Sequence, residues 1–159
     1  MDGKITLEKN LIIIGLDVKD KLEAISQMAT RLEDYGYVNN EYKNAVIERE
    51  KVFPTGLPTK GVGVAIPHTD IKYVNKSAIA IGVLKNPVLF NVMGNPEENV
   101  DVKLIFMLAL KEPQLQINTL RDLVEIFQDE NLLAEIANSD SEEKVIGIIS
   151  KCFVKSESA

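Results

Sequence analysis

His68 is the only imidazole in the chain, and it stands where the apolar run Gly63-Val64-Ala65-Ile66 is stopped by Pro67. Imidazole changes charge near pH 6.5, so it can act as nucleophile, base or metal ligand close to its ordinary state. Proline fixes φ and carries no N–H, so a strand ladder should end there and leave His68 at a strand end. On α/β scaffolds, strand ends and the loops around them are where ligands bind. Arg49 lies nineteen residues before His68, with Thr55 and Gly56 between them. A guanidinium is always charged and matches an oxyanion with two parallel N–H donors, and a threonine hydroxyl can add a third. Each of these residues also has a plainer use. A lone histidine beside apolar residues is often a satisfied core or boundary group, Arg49 could form a surface ion pair with Glu48 or Glu50, and Thr55 could simply shape a turn.

Other chemistries have less to stand on. One His, one Cys and scattered carboxylates provide no metal-ligand spacing. Cys152 falls in a late helical pattern with no histidine near it in sequence, so it reads as packing. There is no Gly-x-x-x-x-Gly-Lys-Ser/Thr sequence and no Gly-x-Gly-x-x-Gly opening a helix, so no nucleotide cofactor is expected. A net charge of −6, with basic residues dispersed among acids, argues against nucleic acid. The longest apolar runs, Ala78 to Leu84 and Leu104 to Leu110, have seven residues each. A bilayer span needs roughly 20. With no signal-peptide pattern after Met1 and a single cysteine, a cytoplasmic protein is expected.

At 159 residues and 45% hydrophobic, the chain suits one domain with a full core. Domain boundaries are expected at 1–154, leaving Lys155–Ala159 as a loose tail. Leu11 to Ile14 reads as a first strand. Asp17 to Gly36 carries the stripe Leu22, Ile25, Met28, Ala29 and Leu32 of an amphipathic helix. A second helix is predicted from Asn40, as N-cap, to Lys51, with Tyr42, Ala45 and Val46 on its apolar face and Arg49 near its C-terminal end. Phe53-Pro54-Thr55-Gly56 stops it. Strands follow at Gly63–Ile66, Ser77–Leu84, Val88–Val92 and Val102–Leu110, punctuated by Asn86-Pro87 and Glu97-Glu98-Asn99. Three helices close the chain: Pro113 to Phe127, Asp129 to Ala137, and Asp140 to Phe153, the last begun by capping residues in Ser139–Glu143. Strands apolar on both faces need cover on both sides, so the expected fold is a single three-layer α/β/α domain with a mixed β-sheet.

The sequence Glu48-Arg49-Glu50, then Phe53-Pro54-Thr55-Gly56-Leu57, then Gly63-Val64-Ala65-Ile66-Pro67-His68 resembles the fructose/mannitol class of enzyme IIA of the phosphoenolpyruvate:sugar phosphotransferase system. The resemblance runs from about Leu7 to Phe153, and the Phe-Pro-Thr-Gly wording together with Gln114 is most like the galactitol-type subgroup. It implies a phosphotransferase component with no cofactor. His68 would take a phosphoryl group from the phosphocarrier HPr and pass it to a cysteine of the cognate enzyme IIB, with the membrane sugar permease, enzyme IIC, reached indirectly. Arg49, Thr55 and Gln114 would complete the site. Mannitol- and fructose-type members are similar in carrying a second histidine where this chain has Gln114. An amide can still donate to a phosphoryl oxygen, and free N–H groups at the helix start after Pro113 would help an anion, but glutamine cannot titrate. The resemblance extends to nitrogen-type regulatory IIA proteins, so a module whose phosphorylation state governs a protein partner is the alternative.

Overall fold

A computed structural model describes residues 5–158, with side chains through Cys152. β1 (Ile12–Leu16) is built of β-branched residues and leads to α1 (Lys21–Asp34). Asp20 starts α1 by accepting the Glu23 N–H, and Ile25, Met28, Ala29 and Leu32 of the predicted stripe are buried, joined by Ala24, while Leu22 is half-buried. α2 (Tyr42–Val52) follows. Its start differs from the expectation. Asn39, not Asn40, supplies the side-chain acceptor, for Glu41 N–H at 3.0 Å, because only Asn39 lies two residues before the free amide.

β2 (Gly56–Leu57) and β3 (Gly63–Ala65) form a short antiparallel hairpin. β2 was not foreseen, since Gly56 is recruited by tertiary pairing and not by propensity. β4 (Ala78–Val92) and β5 (Asn95–Ala109) are longer than the pattern suggests. The predicted strands Ser77–Leu84 and Val88–Val92 are one strand interrupted by an irregularity between Val83 and Val88, which contains Pro87. A bulge is where a strand tolerates the missing N–H. Glu97, Glu98 and Asn99 are also strand residues. This arm of the β4–β5 hairpin is exposed, so polar side chains cost it nothing. Gly94, with φ of +79°, makes the two-residue turn between Val92 and Asn95.

The sheet order is β1-β4-β2-β3-β5, with β4 and β5 also paired to each other. β1 and β2 run parallel to β4, and β3 runs parallel to β5. On one face α1 and α2 cover Ala65, Ala80, Phe90, Ile105 and Met107. On the other, α3 (Pro113–Phe127), α4 (Glu130–Ala137) and α5 (Glu142–Ser158) cover Ile79, Ile81, Leu104 and Phe106. The expected three layers and mixed sheet are therefore present. Ser141 caps α5 by accepting the Lys144 N–H at 3.2 Å. The tail expected at Lys155–Ala159 coincides with the end of α5, where side chains, and Ala159 altogether, lie outside the described residues.

Two glycines let the β2–β3 hairpin nest inside the β4–β5 hairpin. A Cβ on Gly63 would lie 2.2 Å from the Asp101 carbonyl oxygen, and one on Gly56 would lie 2.6 Å from that of Asn91. Both obstacles are backbone in a paired sheet, so neither can yield cheaply. Gly63→Ala should therefore lower unfolding stability by about 1–3 kcal/mol, the usual range for overpacking. An unchanged urea midpoint would mean that the two hairpins are not tightly nested.

Candidate functional site

The site lies where α2, the β2–β3 hairpin and the start of α3 converge. Past β3, the Ile66 N–H still donates to the Thr55 carbonyl at 3.3 Å, and the Leu108 N–H donates to the Pro67 carbonyl at 3.0 Å. The backbone just before His68 is thus tied to both neighbouring segments. Tyr42, fully buried on α2, donates its hydroxyl to the Leu108 carbonyl at 2.6 Å and so joins the helix to the same strand end.

His68 Nδ1 is 2.8 Å from the Ile66 carbonyl oxygen. A carbonyl only accepts, so the contact places the ring proton on Nδ1 and leaves the lone pair on Nε2. The ring is partly buried, and burial lowers its pKa below the ordinary histidine value, with the positive charge of Arg49 acting in the same direction. The Ile66 carbonyl opposes both by stabilising the protonated ring, but does not outweigh them. The result at neutral pH is an uncharged, singly protonated imidazole with one defined basic nitrogen.

Arg49 is exposed near the C-terminal end of α2, with its guanidinium carbon 5.1 Å from the centre of the Phe53 ring. Its electrostatic effect on His68 places the two residues in one neighbourhood. Among the described residues no ion pair occupies Arg49. Glu48 instead pairs with Lys51 at 2.9 Å. A cation held against an aromatic face keeps its N–H donors free for an anion.

Thr55 is 3% exposed, and both of its donors are engaged by Glu50: the N–H at 2.8 Å and the hydroxyl at 2.7 Å. The hydroxyl proton is therefore already committed. Gln114 is exposed in the first turn of α3 and donates to Asn118 Oδ1 at 3.1 Å. The α3 amide that reaches the histidine segment is that of Gln116, which donates to the Thr69 carbonyl at 3.4 Å. Sequence reasoning passed over Gln116, and nothing in its local sequence marks it. Glu50 was passed over too, although Tyr42, Val46 and Glu50 recur every four residues and all three are buried. Cys152 is half-buried among the apolar residues under α3–α5 and donates to the Ile148 carbonyl. Among the described residues, no three His, Cys, Asp or Glu groups are grouped to hold a metal ion. Nor is any helix there long and apolar enough to cross a membrane.

The fold belongs to a known class of domains. The chain is similar to enzyme IIA(Mtl) of Escherichia coli, solved in complex with phosphorylated enzyme IIB(Mtl), with a TM-score of 0.76 at 23% identity over 93% of this chain and 99% of that one. It is also similar to the nitrogen regulatory protein IIA-Ntr of Neisseria meningitidis, with a TM-score of 0.70 at 25% identity, covering 92% and 97%. The family model for EIIA 2 of the phosphoenolpyruvate-dependent sugar phosphotransferase system matches residues 5–152, and the chain belongs to that family of phosphotransferase components.

Three relatives illustrate its range. The transcriptional regulator ManR of Bacillus subtilis is 37% identical over 101 residues, 64% of this chain and 14% of ManR. The fructose-specific EIIABC component of the same organism is 32% identical over 91% of this chain and 22% of that protein. The galactitol-specific EIIA component of E. coli K12 is 30% identical over 69% of this chain and 72% of that protein. The chain thus spans less than a quarter of the first two relatives.

The direction of the His68 shift has two measurable consequences. An NMR titration should place its pKa below about 6.5, the unperturbed value, and Arg49→Ala should move it upward by removing a nearby positive charge. An unfolded chain returns the imidazole to about 6.5, so between the folded value and about 6.5 it binds more protons than the native state. This contribution to stability is complete above pH 6.5 and is lost as pH falls toward the folded value. His68→Gln should flatten that part of the curve. A His68 pKa at or above 6.5 would contradict the burial and the role of Arg49 together.

Proposed function

We propose that His68 Nε2 accepts a phosphoryl group from the phosphohistidine of HPr and passes it to a cysteine of a cognate enzyme IIB, in the cytoplasm, for uptake through a membrane enzyme IIC. The observation that supports this reading is the Nδ1–Ile66 contact, which keeps the ring proton on Nδ1 and leaves the Nε2 lone pair available for attack. In the first transfer the P–N bond of the donor breaks and its electron pair stays with the donor imidazole. The Nε2 lone pair forms the new P–N bond. As the His68 ring gains positive character, its Nδ1–H bond to the Ile66 carbonyl strengthens, so the backbone stabilises the product without moving. In a loose, metaphosphate-like transition state the charge lies on the equatorial oxygens, and Arg49, whose positive charge acts on His68, is the donor assigned to them. The second transfer reverses these roles, with the cysteine thiolate attacking phosphorus.

Galactitol or a related carbohydrate is the sugar favoured by Gln114 and by the Phe-Pro-Thr-Gly sequence, and a galactitol-specific component is among the relatives. A regulatory reading is favoured by a different observation, the 37% identity to ManR. The two diverge after His68 is loaded: a transport component hands labelled phosphate to an enzyme IIB, whereas a regulatory module retains it and changes its affinity for a partner.

Incubation with phosphoenolpyruvate, enzyme I and HPr should add one phosphoryl group, detected by mass spectrometry, and His68→Gln should take none. The modification should be lost in acid and survive base, as a P–N bond does. Labelling on Ser, Thr or Cys152 would sink the proposal. Arg49→Ala should lose roughly 2–4 kcal/mol of transition-state stabilisation with the fold intact, and Arg49→Lys should recover only part, because a point charge does not reproduce the fork.

Gln114 is proposed to turn its amide from Asn118 to the phosphoryl group. Gln114→Ala should then slow loading by about 1.5–3 kcal/mol, the worth of a hydrogen bond to charge. Gln114→His should add an ionisation to the pH–rate profile between about pH 5 and 8. A wild-type rate in Gln114→Ala would leave the residue as part of the helix start only.

A further inference from the structure

Glu50 is a carboxylate at a position where the helix asks for an apolar side chain. It is 1% exposed, on the face of α2 that also buries Tyr42 and Val46. Replacing a buried charge with a well-packed apolar residue often costs a protein nothing, so the acid calls for a reason beyond stability. Its two oxygens have different partners on one residue: Oε2 accepts the Thr55 N–H and Oε1 accepts the Thr55 hydroxyl. From Thr55 the connection continues without a break. The Thr55 carbonyl accepts the Ile66 N–H, and the Ile66 carbonyl accepts His68 Nδ1–H. At its other end Glu50 is the covalent neighbour of Arg49.

We propose that Glu50 is a positioning residue for phosphoryl transfer, clamping Thr55 so that the His68 ring and the Arg49 guanidinium are held in one fixed relation. The proposal rests on the reading of His68 as the phosphoryl carrier. Without the clamp, the connection from α2 to β2 is free to shift, and the shift reaches the imidazole through only two hydrogen bonds. Arg49 and Lys21 supply positive charge near the carboxylate, and Lys21 is itself held by Asn91 on β4. Burial outweighs them and raises the Glu50 pKa above the ordinary carboxylate value. The hydrogen bonds to Thr55 favour the charged form, so the clamp opposes that rise.

The test uses the full chain with phospho-HPr as donor and four variants. Thr55→Val removes one arm of the clamp, and Glu50→Leu removes both while filling the space. Thr55→Ser and Glu50→Gln can each keep two hydrogen bonds, the latter with the hydroxyl reversed to accept from the amide. In Thr55→Val and Glu50→Leu, kcat for loading should fall between about ten- and a hundredfold, the range for a reacting group displaced by about an ångström. The KM for phospho-HPr should stay within about twofold. Ser and Gln should bring the rate back to within about threefold of wild type. Imidazole ¹⁵N–¹H spectra should show the single Nδ1–H tautomer of wild type becoming mixed in Thr55→Val.

Wild-type kcat in a folded Thr55→Val or Glu50→Leu, a loss entirely in KM, or no rescue by Ser would overturn the proposal. If Glu50→Leu does not fold, Thr55→Val still decides. If the wild-type chain takes no phosphoryl group on His68, the function reading fails. The tautomer measurement then decides the clamp alone: an unchanged spectrum in Thr55→Val overturns it.

Discussion

One hydrogen bond, from His68 Nδ1 to the Ile66 carbonyl, sets the terms for the rest of the site. It determines which ring nitrogen is basic and where that nitrogen points. It also requires that the Ile66 carbonyl be fixed before the histidine arrives. That is accomplished by ordinary sheet pairing on either side, through Thr55 to the Ile66 N–H and through Leu108 to the Pro67 carbonyl. Pro67 contributes by what it lacks: with no N–H, the ladder cannot run through His68, and the imidazole is released at the strand end.

The charges are arranged around that neutral ring. Partial burial and Arg49 disfavour its charged form, while Arg49 is held by an aromatic face and not by a carboxylate. The carboxylate nearest to it in sequence on the buried side, Glu50, is occupied with Thr55. A positive charge near a neutral base and, among the described residues, free of an ion pair is what the proposed phosphoryl site calls for. Placing the acid on the inner face of α2 and the guanidinium on the outer face, one residue apart, keeps them from pairing directly.

Much of this was legible before the coordinates, because it follows from period and punctuation. The stripe of α1, the proline that opens α3 and the strand that ends at Pro67 are each set by local chemistry, and His68 and Arg49 emerged from the same reasoning. The two-residue strand β2 was not legible, since its pairing with β3 and β4 depends on glycines that admit close backbone approach from residues far along the chain. Nor was the length of the β4–β5 hairpin, whose exposed polar arm imitates a loop. Thr55 could be read as a hydroxyl donor because sequence does not say where a hydroxyl proton goes. Glu50 carries a signal of its own: the four-residue recurrence of Tyr42 and Val46 reaches it one turn further along α2. Gln116 offers no such signal, because its reach to Thr69 is set by how α3 docks across the sheet end.

Arg49 to His68 is a single run of twenty residues, and three of the links that shape it, Glu50 to Thr55, Thr55 to Ile66 and Ile66 to His68, stay within it. Closing a loop of that length costs only about 3 kcal/mol of chain entropy, and the cost grows slowly with length. Arg49 and His68 are therefore joined by local wiring, whereas the amides of α3 come from a separate stretch of chain. Chemistry and trim are assembled independently. On the proposed reading, a change of side chain at the α3 end would leave His68, its tautomer and Arg49 where they were.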